Sequence, residues 1–156
     1  MPLPFVVATF LLAGCGAMSP AGHAGHAGHD APAGDGRQAV DFPEPLRTHT
    51  LANMRDHLLA LQEIQQALAD GAYDGAGQIA ERRLGMTSLA AHGAHDVAKF
   101  MPEGMQSIGS EMHRSASRFA VEAANAGATG NVEPALAALA RITRQCVACH
   151  ASFRMN

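Results

Sequence analysis

Cys146, Cys149 and His150 are the residues whose types and spacing point most directly to chemistry. They belong to the run Cys146-Val147-Ala148-Cys149-His150. C-x-x-C-H is the attachment pattern of haem c: two thiols take up the vinyl groups of the macrocycle, and the next histidine ligates the iron. On a helix, positions three apart share a face, so both sulfurs reach one edge of a flat ring. The imidazole of His150, next along, turns under the iron. A redox dithiol and half of a zinc site are competing readings of the same thiols. The chain has three cysteines, so a four-thiolate zinc centre lacks its second pair. No strand-rich context suggests a thioredoxin-like dithiol.

The third cysteine, Cys15, closes a short apolar run, residues 1–14, that ends in Leu12-Ala13-Gly14. The run is shorter than the about 20 residues a membrane-spanning helix needs. It reads as the apolar region of a signal peptide. Its ending resembles a bacterial lipobox, which makes Cys15 a lipidated N-terminus after cleavage, although no Lys or Arg precedes the run. An ordinary signal peptide cut nearby and a buried core segment are the alternatives. With one thiol for lipid and two for haem, no cysteine is left for a disulfide. Export would place the protein in the periplasm, anchored to a membrane.

Residues 15–43 are rich in Gly, Ala, Pro and His, and His23, His26 and His29 fall in an Ala-Gly-His repeat. Such a composition buries too little apolar surface to fold alone, so it reads as a tether. About 30 residues of this kind span roughly 30 Å. Its three imidazoles are also a candidate loose site for copper, zinc or nickel, which gives a metal-handling lipoprotein as one functional alternative.

The elements that must position the haem motif lie in residues 44–156. The chain of 156 residues is 47% apolar, with no Trp and one Tyr, and its net charge is −3. Ala, Leu and Met carry the apolar content, which favours helices, and the charge offers nothing to a nucleic acid. Leu51, Met54, Leu58, Leu61 and Leu68 repeat at steps of three and four, apart from a break at Gln65, and predict a helix from about Glu44 to Ala69 that stops at Asp70-Gly71. A second segment runs from about Asp74 towards Lys99 with Ile79, Met86, Leu89 and Val97, its limits blurred by four glycines. Pro102 precedes a third, which presents Met105, Ile108, Met112, Phe119 and Ala123. Pro134 suits the first turn of a fourth, where Leu136, Leu139, Ile142, Cys146, Cys149 and Phe153 share a broad face. The expected fold is all-α, an antiparallel four-helix bundle.

The last helix, read as Cys146-Val-Ala-Cys149-His150-Ala-Ser-Phe153-Arg154, resembles the end of the cytochrome c′ family, as does the proline break before the third helix. That family is a recognised member of the four-helix bundles. The resemblance covers about residues 44–156. It implies thioethers at Cys146 and Cys149, His150 as proximal ligand, and Arg154 near the haem, where its charge tunes the iron. Read without the resemblance, Arg154 is a solvated cation favouring the helix dipole. The family includes homodimers assembled through first- and second-helix surfaces, and that choice stays open here.

In the resembled family the first helix covers the distal face of the haem. Met54 is the candidate sixth ligand, since a thioether raises the reduction potential; core packing is its plain alternative. His57, at the edge of the same face, is the second candidate. His92, His95 and His113 read as surface or edge residues. The expectation is an exported monohaem cytochrome passing single electrons between periplasmic or membrane redox proteins. A five-coordinate haem that binds nitric oxide or carbon monoxide is the alternative. Neither a nucleophile nor paired carboxylates argue for an enzyme.

Overall fold

A computed structural model describes residues 34–156. Cys15, His23, His26 and His29 lie outside the described residues, as do the signal-peptide reading and most of the tether reading. The described chain is mostly helical: α1 (Glu44–Ala69), α2 (Tyr73–Arg83), α3 (Ala94–Ala98), α4 (Glu103–Thr129) and α5 (Glu133–Ser152), with short strands β1 (Gln38–Val40) and β2 (Phe153–Met155). No helix among the described residues is long and apolar enough to cross a membrane.

Local chemistry sets the bounds of the long helices. Pro43 and Pro102 occupy the N-cap positions of α1 and α4, and a proline also lies in the first turn of α1 and of α5. A missing N–H does no harm there, because those amides have no intrahelical partner. At the other ends, Gly71 and Gly130 take φ of +72° and +74°, a region that a side chain disfavours. Asp70-Gly71 therefore stops α1 where the sequence places the stop.

The expected second helix breaks in two. α2 ends at Arg83, a 3₁₀ turn follows at Met86–Ser88, and α3 begins only at Ala94. Gly93 takes φ +60° immediately before α3, a conformation that favours glycine. Four expected helical segments thus become five α-helices.

α1 packs on α2, α2 on α4, and α4 on α5. Their contact faces supply one apolar core: Leu61, Ile64 and Leu68 from α1, Ala76 and Ala80 from α2, Met112, Phe119 and Ala123 from α4, Leu139 and Ile142 from α5. Phe119, Ile64 and Ile142 are completely buried, and burying a side chain of that size stabilises by roughly 1.5–3 kcal/mol. Gly77 lets α2 approach α4 closely, since a Cβ there would stand 3.1 Å from the Ala120 carbonyl oxygen. Two positions of the sequence stripes are exposed: Leu136, at 50%, and Leu58, at 71%, which lines the cavity described below.

A smaller core joins the two ends of the described chain. β1 pairs in parallel with β2, in the register Gln38 to Phe153, Ala39 to Arg154 and Val40 to Met155. Val40 and Phe42 are buried with Val97 and Met105, and Leu46, Met101, Phe153 and Met155 pack against them. Two differences from the sequence reading follow. Residues 38–42, read as tether, form a strand and a buried anchor, and Phe153 leaves the helix to sit in β2. The reason is pairing over more than a hundred residues, which no local pattern announces.

Candidate cofactor site

The last two turns of α5 carry Cys146, Cys149 and His150. Cys146 packs against the main core and Cys149 against the smaller one, so the two sulfurs lie between the two clusters. Both thiols are free and half-buried. Cys146 Sγ donates to the Ile142 carbonyl oxygen at 3.7 Å, one turn back. Burial raises both thiols above their ordinary pKa, and Cys149 is raised further by Cys146 beside it. Both are therefore neutral thiols at neutral pH.

These residues line a cavity of about 360 Å³ with a largely apolar wall. That is the size of small-molecule and cofactor sites, roughly 300–1,000 Å³. Across it stand Met54 and His57 of α1 and Met112 of α4. Cys146, Cys149, His150, Met54 and His57, picked out from three stretches of sequence, thus converge on one space. His150 remains exposed at that wall. A pair of neutral thiols, an imidazole and a thioether around an apolar slot fit a flat, apolar macrocycle whose metal takes nitrogen and sulfur ligands.

Arg154 does not line the cavity. It sits in β2 opposite Ala39, with Nη1 donating to Asn156 Oδ1 at 2.6 Å and Nε 3.8 Å from Asp35 Oδ2. Its Nε is buried without a hydrogen-bond partner. Arg37 is the cation that touches the motif: its Nη1 donates to the His150 carbonyl oxygen at 3.2 Å, at the C-terminal end of α5. That role was not legible in the sequence, because Arg37 reaches His150 only through the β1–β2 pairing.

The histidines read as surface or edge residues divide. His92 and His113 also line the cavity, together with His57. His113 is 8% exposed, which corrects its surface assignment. The ring centroids of His57 and His92 lie 4.7 Å apart, those of His92 and His113 5.4 Å, and those of His57 and His113 6.3 Å. His57 is held well below its ordinary pKa, at about 4, first by burial and then by His92 and His113. Burial also lowers His92 and His113, in the latter against the opposing pull of the Leu84 and Gly85 carbonyls. All three are neutral at pH 7. His113 follows Met112 on the apolar stripe of α4, and that adjacency is the one sequence signal of its burial.

No family model, no curated protein and no solved structure matches this chain.

Proposed function

We propose that this chain is an exported monohaem c-type cytochrome of the cytochrome c′ kind that passes single electrons between periplasmic or membrane redox partners. In this reading α1, α2, α4 and α5 are the four helices of an antiparallel bundle, and α3 belongs to the connection between α2 and α4. Cys15 carries a lipid, and residues 15–33 are the tether. The observation that carries the reading is the C-x-x-C-H run on the last helix, with two free, half-buried thiols lining the same apolar cavity as Met54.

Each residue then has a defined task. Cys146 and Cys149, one packed against each apolar cluster, would hold the macrocycle by thioethers. His150 would hold the iron, while Arg37 on its carbonyl oxygen keeps the end of α5 in place. Met54 would supply a thioether from α1, and Leu61 and Met112 give the cavity apolar wall. When bound, haem c supplies an iron that gains and loses one electron, at a potential set by its axial ligands and by burial. The reading is of a carrier, so no residue is assigned a catalytic role.

A second reading, reversible binding of nitric oxide or carbon monoxide, is favoured by the size of the cavity and its apolar wall. One experiment separates the two: optical spectra of the matured protein, ferric and ferrous, before and after carbon monoxide. Electron transfer with Met54 as ligand requires a low-spin covalent haem indifferent to the gas. A high-spin haem that takes up carbon monoxide selects the gas-binding reading. Absence of covalent haem from protein matured in a competent host overturns both.

A further inference from the structure

His57 of α1, His92 of the loop before α3 and His113 of α4 come from three separate segments, yet their rings stand together at one end of the cavity. The hydrogen bonds fix which ring nitrogen of two of them carries the proton. Ser88 Oγ donates its only proton to the Gly85 carbonyl oxygen at 2.7 Å, so its 3.3 Å contact with His92 Nδ1 is donated by the ring. His113 Nδ1 donates to the Leu84 carbonyl oxygen at 2.7 Å. Both rings are therefore Nδ1–H tautomers whose Nε2 lone pairs have no proton. A histidine that ligates a metal characteristically gives its other ring N–H to a carbonyl or similar acceptor in this way.

His57 Nε2 lies 3.4 Å from His92 Nε2. Two nitrogens each about 2.0–2.1 Å from one tetrahedral ion stand about 3.4 Å apart. His92 is also held from behind, since Asn53 Nδ2 donates to its backbone carbonyl oxygen at 3.3 Å and ties the loop to α1. Among the described residues no three such side chains already surround a single point. His57 and His92 already have the separation of two ligands of one ion, and the His113 ring centroid stands 5.4 Å from that of His92.

We propose that His57, His92 and His113 form a binding site for one divalent ion of the zinc class, held through three imidazole nitrogens and separate from the residues assigned to haem. Three neutral imidazoles suit Zn(II), Cu(II) or Ni(II) better than magnesium or calcium, which take oxygen ligands. Three protein ligands leave a fourth position for water. The ion joins α1, α4 and the loop before α3, the one long connection of the fold. His57 is then unavailable to the haem iron, and Met54 keeps that place.

The test uses the full chain with haem, carrying His23→Ala, His26→Ala and His29→Ala so that the tether cannot supply the zinc. Equilibrium dialysis against Zn(II), with metal and iron counted by mass spectrometry, should give one zinc per chain. X-ray absorption at the zinc edge should show three imidazoles. His92→Ala should weaken binding by about 100-fold or more, since loss of second-shell partners alone costs 10–100-fold. Circular dichroism reports whether that variant folds, and if it does not, the imidazole count in the parent chain decides alone. Failure to retain zinc, retention unaffected by His92→Ala in a folded protein, or zinc without imidazole neighbours overturns the proposal. Iron content is read in the same sample, so failure of the haem reading is seen independently.

Discussion

The depressed pKa of His57 makes a prediction about stability that can be worked through. In the unfolded chain His57 titrates near its ordinary value of about 6.5, whereas in the folded protein burial beside His92 and His113 brings it to about 4. As pH falls below 6.5 the unfolded chain takes up a proton that the folded chain refuses. The native state therefore has the full benefit of a neutral His57 above that value, loses it as pH falls, and has none left below about 4. The difference of about 2.5 units at 1.36 kcal/mol each corresponds to roughly 3 kcal/mol. His57→Gln keeps an N–H able to face His92 Nε2 but cannot titrate. Guanidinium unfolding of the two proteins, with a chelator present to exclude metal, should show the wild type losing about 3 kcal/mol more than the variant between pH 7 and pH 4. The three rings titrate as one coupled group, and the variant also relieves its neighbours, so the midpoint of the loss belongs to the trio. Two stability curves that run parallel from pH 7 to pH 4 would refute the claim that His57 is buried as a neutral ring.

The remaining predictions concern the core, the helix contact, the motif and its clamp. Phe119→Ala empties a completely buried site and should cost about 3–5 kcal/mol in urea unfolding; a loss under about 1 kcal/mol would mean the core collapses around it. Gly77→Val places a branched side chain 3.1 Å from the Ala120 carbonyl oxygen and should cost about 1–3 kcal/mol, because backbone on α4 must move; a more stable variant would contradict the close contact. Cys146→Ser should leave haem on a single thioether, seen as a red shift of the alkaline pyridine spectrum. The double change with Cys149→Ser should leave haem extractable by acidified acetone, and haem retained there would disprove attachment. Arg37→Ala breaks a bond to the His150 carbonyl oxygen and an exposed pair with Asp35. It should leave global stability almost unchanged, since the pair is exposed, yet speed amide exchange at Arg154 and Met155; unchanged exchange would remove Arg37 as the clamp.

Where signals are local, sequence and structure agree. Prolines at or beside the first turn start α1, α4 and α5, and a glycine past the end stops α1 and α4, since each acts on the backbone it belongs to. The face of α2 was harder to see. Its completely buried residues are Ala76 and Ala80, with Gly77 buried beside them, whereas Ile79, the apolar residue that marked the segment, is half-buried. Small side chains sit equally well in a core and at a surface, so a stripe counted on Leu, Ile and Met passes over a close helix contact made by Ala and Gly. Leu136 shows the converse, an apolar side chain at bundle spacing that meets solvent.

That Cys146, Cys149 and His150 share one side of α5 was legible because one helix fixes their mutual geometry, and that Met54 lines the same cavity because one stripe fixes its side of α1. The histidine trio was not, because it depends on a break that periodicity treats as noise. Had the second segment continued as a helix to Lys99, His92 would sit on a regular helix face set by its neighbours. Instead the chain leaves α2 at Leu84, and Leu84 offers its carbonyl oxygen to His113. The 3₁₀ turn then supplies Ser88 to orient the ring of His92. Gly93, at φ +60°, turns the chain into α3 directly after His92, whose own carbonyl is tied to Asn53 of α1. The interruption of the helix and the meeting of the three rings are thus one feature. A glycine-rich stretch inside an apolar period, with a histidine beside the glycine that turns it, is the pattern by which such a site becomes readable. Gly93→Ala tests the connection directly: a side chain at that φ is strained, so the loop must shift, and it should disturb zinc binding and His57 titration together.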